Sequence, residues 1–328
     1  MVSQILSTGS YLPERVVKNE DMIQFSAKSL PHIAAKTGIL ERRHAEKSQA
    51  ASDLAVNAAL RCLCRAGLDA TDINGIILAT STPDQPMPAT SAIIQGRIGA
   101  KNAFAFDVNA ACSGAIVALQ TADTMLRGGC ARRILVLASE VLSRFQDPDD
   151  FSTYPYFGDG AGAVLLEATD HPQKPYITHA ILHTDGRGAD LIRILAGGSR
   201  IPLPTLKDPK LFYFQMKGRA VFDFAVAKGA RLIEELCCSC QLGKSDLRHL
   251  VLHQANIRIL AAIAQKTGIP IERFMVNLQR YGNTGAASPL IAFDELCNQQ
   301  TENGLEGPTL LIGFGAGLTW GGLALALP

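Results

Sequence analysis

Three residues from separate parts of the chain, Cys112, His253 and Asn283, have side chains that can act together on a thioester. Cys112 lies in the segment DVNAACSGAI, where an apolar strand-like segment turns into a helix-like one. We expect Asp107 or Asn109 to cap that helix. A thiol in its first turn would have a lowered pKa, because it feels the positive end of the helix dipole. The alternative is a buried structural cysteine, the usual state of a free thiol.

His253 and Asn283 each supply a neutral hydrogen-bond donor. His253 follows a strand-like segment, and a neutral imidazole donates one hydrogen bond and accepts one. Asn283 lies in the turn-like sequence YGNTG. Alone, either residue is more often structural. Combined with a cysteine nucleophile, two donors aimed at one oxygen suit thioester chemistry, in which an oxyanion develops.

The chain repeats its own pattern at an offset of 174 residues. The segments DINGIILATST and DLRHLVLHQAN each predict a buried strand that follows a helix. The same offset carries Cys112 onto Ala286, in a second small-residue turn that leads into an apolar helix. This alternation predicts an α/β fold in which helices cover sheets. We predict two halves about a pseudo-twofold axis, residues 1–170 with the cysteine and residues 171–328 with the histidine and asparagine.

Composition argues against several classes of function. The chain has 328 residues and a net charge of +1, which does not favour a nucleic-acid or acidic-membrane partner. Eight cysteines without a recognisable secretory signal indicate free thiols and predict a cytoplasmic protein. The uncharged segment 307–328 contains six glycines, so it predicts two buried strands around a tight turn rather than a membrane helix.

Two other motifs do not carry chemistry. The run GDGAGA at 158–163 partly matches a dinucleotide fingerprint, but it leads into a strand-like segment, whereas that fingerprint must open a helix. The clustered cysteines at 62–64 and 237–240 lack the paired spacing of a metal site and fall on helix-like segments. We therefore expect neither a nucleotide cofactor nor a metal.

The motifs taken together resemble those of beta-ketoacyl-ACP synthase III, a family of the thiolase-like superfamily. The resemblance runs nearly end to end, and the order and spacing of the motifs also fit. It implies a five-layered αβαβα duplication, a homodimer without cofactor, and a transferase of fatty acid biosynthesis and lipid metabolism. The motifs are KTGILERRHA (36–45), DVNAACSGAI (107–116), FGDGAGAVL (157–165), LAGGSRIP (195–202), HQANIRI (253–259), YGNTGAAS (281–288) and FGAGLTWG (314–321).

The resemblance implies acyl transfer from a thioester primer to Cys112, followed by decarboxylative Claisen condensation with malonyl-ACP. His253 and Asn283 would hydrogen-bond the malonyl thioester oxygen and stabilise the enolate. The backbone N–H groups of Cys112 and Ala316 would form the oxyanion hole for acyl transfer. Phe314 would form a wall of the decarboxylation site.

Three positions depart from the family's usual primer site. His32 and Phe151 stand where a tryptophan and an arginine usually sandwich the adenine of coenzyme A. Met87 stands where the residue that reaches into the partner's acyl pocket is often phenylalanine. We therefore expect weak use of acetyl-CoA, and preference for a longer acyl chain or an ACP-borne primer. The other implied substrate-binding residues are Phe157 and Asn256, Lys36 and Arg200 for the CoA phosphates, and Lys217 and Arg258 for the acidic carrier protein.

Other functions remain open for the same fold. An acyltransferase or a hydroxymethylglutaryl-CoA-synthase-like enzyme would want a glutamate base near the cysteine. A non-catalytic partner subunit would lack the cysteine. A cysteine hydrolase would need a base placed for water. A specialised condensing enzyme of secondary metabolism or cofactor-precursor synthesis would use the same residues with a non-acetyl primer.

Overall fold

The structure is a computed structural model that describes residues 1–299 and 305–328. Its helices are α1 (Leu30–Thr37), α2 (Ala51–Ala66), α3 (Thr90–Ile98), α4 (Gly114–Arg127), α5 (Gly218–Ser239), α6 (Ile257–Thr267), α7 (Leu278–Tyr281) and α8 (Ser288–Gln299). Its strands are β1 (Val2–Tyr11), β2 (Val16–Lys18), β3 (Glu41–Arg43), β4 (Gly75–Ala79), β5 (Phe104–Val108), β6 (Arg133–Val141), β7 (Asp159–Thr169), β8 (Tyr176–Thr184), β9 (Ile192–Arg193), β10 (Gln215–Met216), β11 (His249–Leu252), β12 (Thr309–Gly315) and β13 (Thr319–Ala326).

Among the described residues, nine strands form one sheet in the order β11-β12-β13-β8-β1-β7-β6-β4-β5. The predicted duplication is visible in this order, because β1-β7-β6-β4 and β8-β13-β12-β11 have the same sequence of antiparallel and parallel pairings. In the first half β5 pairs in parallel with β4. In the second half a single parallel bridge, Leu250 to Phe274, lies against β11 instead. The two halves meet where β1 pairs with β8.

Alternate residues of the strands face different helices, which builds the layers. In β4, Ile76 and Leu78 pack with α2 and α3 on the outer face, whereas Ile77 packs with α4 in the centre. In β11, Leu250 packs with α5 and α6 on the opposite outer face, and Val251 packs towards the centre. Because both faces are buried, β4 and residues Leu250–Leu252 of β11 are apolar. The resulting layers are α2 and α3, the first-half strands, α4 and α8, the second-half strands, and α5 and α6.

The glycine-rich runs are strands, as predicted. The run GDGAGA enters β7, and a β-carbon on Gly162 would lie 2.4 Å from that of Leu290 in α8. The glycines of β7 therefore allow a helix to approach, which explains them without a nucleotide. Segment 307–328 contains the antiparallel pair β12 and β13. None of the helices within residues 1–299 and 305–328 is long and apolar enough to cross a membrane.

Candidate active site

The residue that precedes Cys112 has an unusual backbone conformation. Cys112 lies in a 3-10 turn, Ala111–Ser113, directly before α4, and Ala111 has a φ of 46°. A positive φ is uncommon for a residue with a side chain, and it makes the chain turn sharply. The turn fits against β12, where a β-carbon on Gly315 would lie 2.8 Å from the Cys112 nitrogen. The side chain of Cys112 is half-buried.

Of the two residues expected to cap this helix, Asp107 does not do so. Asp107 accepts hydrogen bonds from the backbone nitrogens of Thr90 and Ser91, both at 2.8 Å, and so holds the first turn of α3 instead. Asn109 acts closer to the cysteine, because its side-chain oxygen accepts from the Ala111 nitrogen at 3.2 Å. That bond stabilises the turn before α4 rather than capping the helix itself.

The turn that carries Asn283 is the second copy of the same design. Gly285 has a φ of 56°. At the offset of 174 residues it corresponds to Ala111, and Asn283 corresponds to Asn109. Asn283 Oδ1 accepts from the Gly285 nitrogen at 2.9 Å. Its amide NH₂ group is therefore the end left free to donate. The Asn283 backbone is also held, because its nitrogen donates to the Tyr156 carbonyl at 2.8 Å.

His253 lies just beyond the end of β11 and is almost fully buried. Its backbone nitrogen donates to the Ile312 carbonyl at 2.8 Å, which ties it to the neighbouring strand β12. Nδ1 of its ring is 2.7 Å from Ser288 Oγ. The ring packs edge-on against Phe314, with centroids 5.6 Å apart. The imidazole is therefore fixed on one side, and Nε2 is the nitrogen left for a ligand.

Cys112, His253 and Asn283 line one cavity, as the sequence predicted. This inner cavity has a volume of about 170 Å³, and its lining is mainly apolar and aromatic. An outer cavity of about 520 Å³ adjoins it, and both are lined by Tyr156, Met216 and Gly218. A long, narrow ligand can therefore reach the cysteine from the surface.

The protonation states of the two central groups differ from a thiolate–imidazolium pair. Burial, and to a smaller degree the Glu140 carboxylate, raises the pKa of Cys112 to about 12. Burial lowers the pKa of His253 to about 4. The expectation of a lowered cysteine pKa is wrong for the resting site, because desolvation of the thiol outweighs the helix end. At neutral pH a neutral thiol and a neutral imidazole share the cavity.

Glu140 is the functional neighbour that sequence reasoning missed. It is the penultimate residue of β6 and is fully buried, and its oxygens accept from the Ser81 nitrogen, the Ser81 hydroxyl and the Thr82 hydroxyl at 2.8–3.2 Å. Burial raises its pKa to about 7 despite these bonds. The residue does not line the inner cavity. It is therefore not placed as the glutamate base that a hydroxymethylglutaryl-CoA-synthase-like enzyme would want.

The charge of Glu140 predicts a pH-dependent cysteine reactivity. Its carboxylate is charged above about pH 7 and opposes thiolate formation at Cys112. We expect Glu140→Gln to speed alkylation of Cys112 by iodoacetamide above that pH, by roughly tenfold for each unit by which the cysteine pKa falls. Below about pH 6 the two rates should converge, since Glu140 is then neutral. Peptide mapping must follow Cys112, because Cys64, Cys130 and Cys238 are exposed.

Glu167→Gln is the matched control for this measurement. Glu167 is also buried in the sheet, but it pairs with Arg133 and does not act on the cysteine. It should leave the alkylation rate of Cys112 at its wild-type value. Equal rates for wild-type protein and Glu140→Gln at about pH 8 would contradict the electrostatic coupling.

The other predicted site residues fall into four groups. Phe157, Asn256 and Phe314 line the inner cavity, and His32, Lys36 and Phe151 line the outer one. Arg258 and Lys217 are exposed near the outer cavity. Arg258 acts on the cavity residue Tyr156, because its charge opposes the rise in the pKa of Tyr156 that burial causes. The structure does not bring the remaining residues into either cavity: Met87 and Arg200 are exposed, and Ala316 follows Gly315 beside the Cys112 turn.

Comparison with known proteins agrees with the predicted fold and family. The family described as 3-oxoacyl-[acyl-carrier-protein (ACP)] synthase III matches residues 106–186, and its C-terminal family matches residues 237–327. Beta-ketoacyl-[acyl-carrier-protein] synthase III of Streptococcus equi subsp. zooepidemicus (strain H70) is 43% identical over 99% of both chains. The crystal structure of 3-oxoacyl-(acyl carrier protein) synthase III from Pseudomonas aeruginosa PAO1 has a TM-score of 0.90 and 36% identity, covering 100% of this chain and 99% of that one.

A priming beta-ketosynthase from the R1128 polyketide biosynthetic pathway is also similar, with a TM-score of 0.89 and 34% identity over 100% of this chain and 96% of that one. The two-half α/β fold with these neighbours is that of a thiolase-like enzyme. Within that class, the chain belongs to the beta-ketoacyl-[acyl-carrier-protein] synthase III family. It is thus an acyltransferase of the condensing type.

Proposed function

We propose that Cys112, His253 and Asn283 divide the condensing reaction between them. Cys112 takes an acyl group from a thioester primer, and the other two residues activate malonyl-ACP against that acyl-enzyme. The observation that carries the proposal is the inner cavity, because all three side chains line it. The product of the two steps is a 3-oxoacyl-ACP.

The proton balance of the first step needs no basic side chain. Cys112 attacks the primer carbonyl, the new C–S bond forms, and the bond to the leaving thiol breaks. The proton of the Cys112 thiol passes to the leaving thiolate, so no net charge is left in the cavity. This suits a site where Cys112 has a pKa of about 12 and His253 one of about 4. The backbone N–H groups of Cys112 and Ala316 stabilise the oxyanion of the tetrahedral intermediate.

The second step needs donors rather than a base. Malonyl-ACP loses CO₂, and the electron pair of the broken C–C bond forms an enolate on the thioester oxygen. The amide of Asn283 and Nε2 of His253 donate to that oxygen. The carbanion carbon then attacks the acyl carbonyl on Cys112, the C–S bond to Cys112 breaks, and the released thiolate takes up one proton from solvent. Phe314 packs on the His253 ring and walls this part of the cavity.

Exposed apolar residues support a homodimer. Met87 is 84% exposed at the tip of a proline-rich loop, and Phe104 is 37% exposed on β5 at the edge of the sheet. A second copy can cover both, and Met87 then closes the acyl pocket of the partner. We also propose a cytoplasmic location, supported by the eight free cysteines, and a division of the chain at residues 170/171, between β7 and β8.

The outer cavity supports a primer other than acetyl-CoA. Where an adenine would stack, this cavity offers His32 and Phe151, and Phe151 already packs edge-on against Phe25 with ring centroids 5.1 Å apart. Phe151 does not supply the cation that an arginine at this position could stack on a base or direct at a phosphate. Lys217 and Arg258 remain exposed nearby for an acidic carrier protein. Lys36 lines the outer cavity and Arg200 is exposed, so they are the residues left for CoA phosphates.

We therefore expect a higher specificity constant for a medium-chain acyl group, or for an ACP-borne one, than for acetyl-CoA. The test incubates the protein with a panel of acyl-CoAs and acyl-ACPs and weighs the intact acyl-enzyme. Malonyl-ACP is then added at a fixed concentration, and the 3-oxoacyl-ACP is measured. Acetyl-CoA as the best primer would contradict our interpretation of His32, Met87 and Phe151. Acyl-enzyme formation without any condensation product would contradict the function itself.

A further inference from the structure

Ser288, the first residue of α8, makes two hydrogen bonds beneath the active-site histidine. It is 1% exposed, and its Oγ is 2.7 Å from His253 Nδ1 and 3.0 Å from the Gln254 nitrogen. A backbone N–H can only donate, so Ser288 Oγ accepts from Gln254. The hydroxyl hydrogen is then free for another partner. Besides the Gln254 nitrogen, the side-chain hydrogen bond of Ser288 Oγ in the described part of the chain is the one to His253 Nδ1.

We propose that Ser288 is a positioning residue that holds His253 in the neutral tautomer with its proton on Nε2. A ring nitrogen that accepts the Ser288 hydrogen carries no proton of its own, so the single proton of a neutral imidazole lies on the other nitrogen. That nitrogen, Nε2, is the donor used in decarboxylation. The inference rests on the proposed function in one respect, namely that His253 donates to the malonyl thioester oxygen.

A second hydrogen-bond acceptor lies close to the same ring. Burial lowers the pKa of His253 to about 4, and a backbone hydrogen bond with Gly285 opposes that fall. If Nδ1 carried the proton, Nε2 would become an acceptor and repel an enolate oxygen. Ser288 therefore decides between two tautomers, of which only one can donate to the substrate.

The duplication shows that packing alone does not require a hydroxyl at this position. At the offset of 174 residues Ser288 corresponds to Gly114, and His253 corresponds to Ala79. The same contact exists in the first half, where a β-carbon on Gly114 would lie 3.1 Å from that of Ala79. There a helix start meets a strand end through apolar atoms only. The polar pair occurs in the half that carries the histidine.

The tautomer can be measured directly in the wild-type protein. Long-range ¹H–¹⁵N NMR correlations distinguish Nδ1–H from Nε2–H, and the signals that disappear in His253→Ala identify the His253 ring among the seven histidines. We expect a proton on Nε2 in wild-type protein and a shift towards Nδ1–H in Ser288→Ala. A wild-type ring protonated at Nδ1 overturns the proposal, and this measurement does not depend on whether the variant folds.

Kinetics give a second readout that a purely structural role would not produce. We expect Ser288→Ala to slow malonyl-ACP decarboxylation by roughly tenfold, the net worth of a lost hydrogen bond, while acylation of Cys112 is retained. Ser288→Thr keeps the hydroxyl and should restore both the tautomer and the rate. Ser139→Ala is the control, because Ser139 is equally buried but donates to the Ala51 carbonyl at 2.7 Å. Equal loss of acylation and decarboxylation in Ser288→Ala overturns the positioning role.

The two proposals fail in different ways. If His253→Ala loses decarboxylation but Ser288→Ala keeps the wild-type tautomer, the inference about Ser288 is overturned and the proposed function stands. If His253→Ala keeps full decarboxylation, the proposed function is overturned, and the NMR result still decides the tautomer on its own.

Discussion

Replacement of Cys112 by alanine is expected to abolish acyl transfer completely and to leave slow decarboxylation of malonyl-ACP. The variant has no nucleophile for the acyl group, but the donors of His253 and Asn283 remain in the inner cavity. Intact mass after incubation with an acyl thioester should show no adduct. Release of CO₂ from malonyl-ACP should continue below the wild-type rate, and the product should be acetyl-ACP.

Cys130→Ala is the matched control for this experiment. Cys130 is an exposed, free cysteine that follows α4 at its other end. Its replacement should leave the acyl adduct in place, and peptide mapping should find that adduct on Cys112 alone. An acyl group on Cys237, Cys238 or Cys240 would show that the nucleophile is misassigned.

The complementary variants, His253→Ala and Asn283→Ala, should lose decarboxylation and keep acylation. Each removes one donor to the enolate oxygen, and loss of one such donor typically lowers a rate by roughly 10²–10³. Both residues are buried at the inner cavity, so water does not readily replace the missing donor. Acyl-enzyme formation and CO₂ release should be measured separately on each variant.

His171→Ala and Asn102→Ala serve as controls, because both residues are exposed and neither lines the inner cavity. They should leave both steps unchanged. Failure of His253→Ala to become acylated would instead identify His253 as the base that deprotonates Cys112. The proton transfer from the cysteine to the leaving thiolate would then be wrong.

The sequence predicted elements with a strong local pattern. The strand of DINGIILATST forms β4, and its copy DLRHLVLHQAN forms β11. The glycine-rich segments became β7 and the pair β12–β13. These predictions succeeded because the hydrophobic pattern of neighbouring residues determines strand burial and helix periodicity. The two small-residue turns also met as expected, since a β-carbon on Gly114 would lie 3.5 Å from that of Ala286.

The failures concern interactions between distant segments. Asp107 lies close to Cys112 in sequence, yet its carboxylate reaches the start of α3, because β5 carries it towards that helix. The expected fall in the pKa of Cys112 is wrong because its burial and its proximity to the charge of Glu140 are set by the whole fold. Ser288 looked like one more small residue of YGNTGAAS, and only the contact with His253 reveals its hydroxyl. Local sequence cannot show which side chains meet across layers.

The position of β1 has a consequence for how the chain is made. β1 lies between β7 and β8 in the sheet, and Val2 pairs with Thr169. A ribosome adds roughly 5–20 residues per second, so β1 waits on the order of ten to thirty seconds for its first partner. During that time the backbone groups and apolar side chains of β1 have no native neighbours in the sheet. The speed of translation therefore sets how long β1 stays without its sheet neighbours.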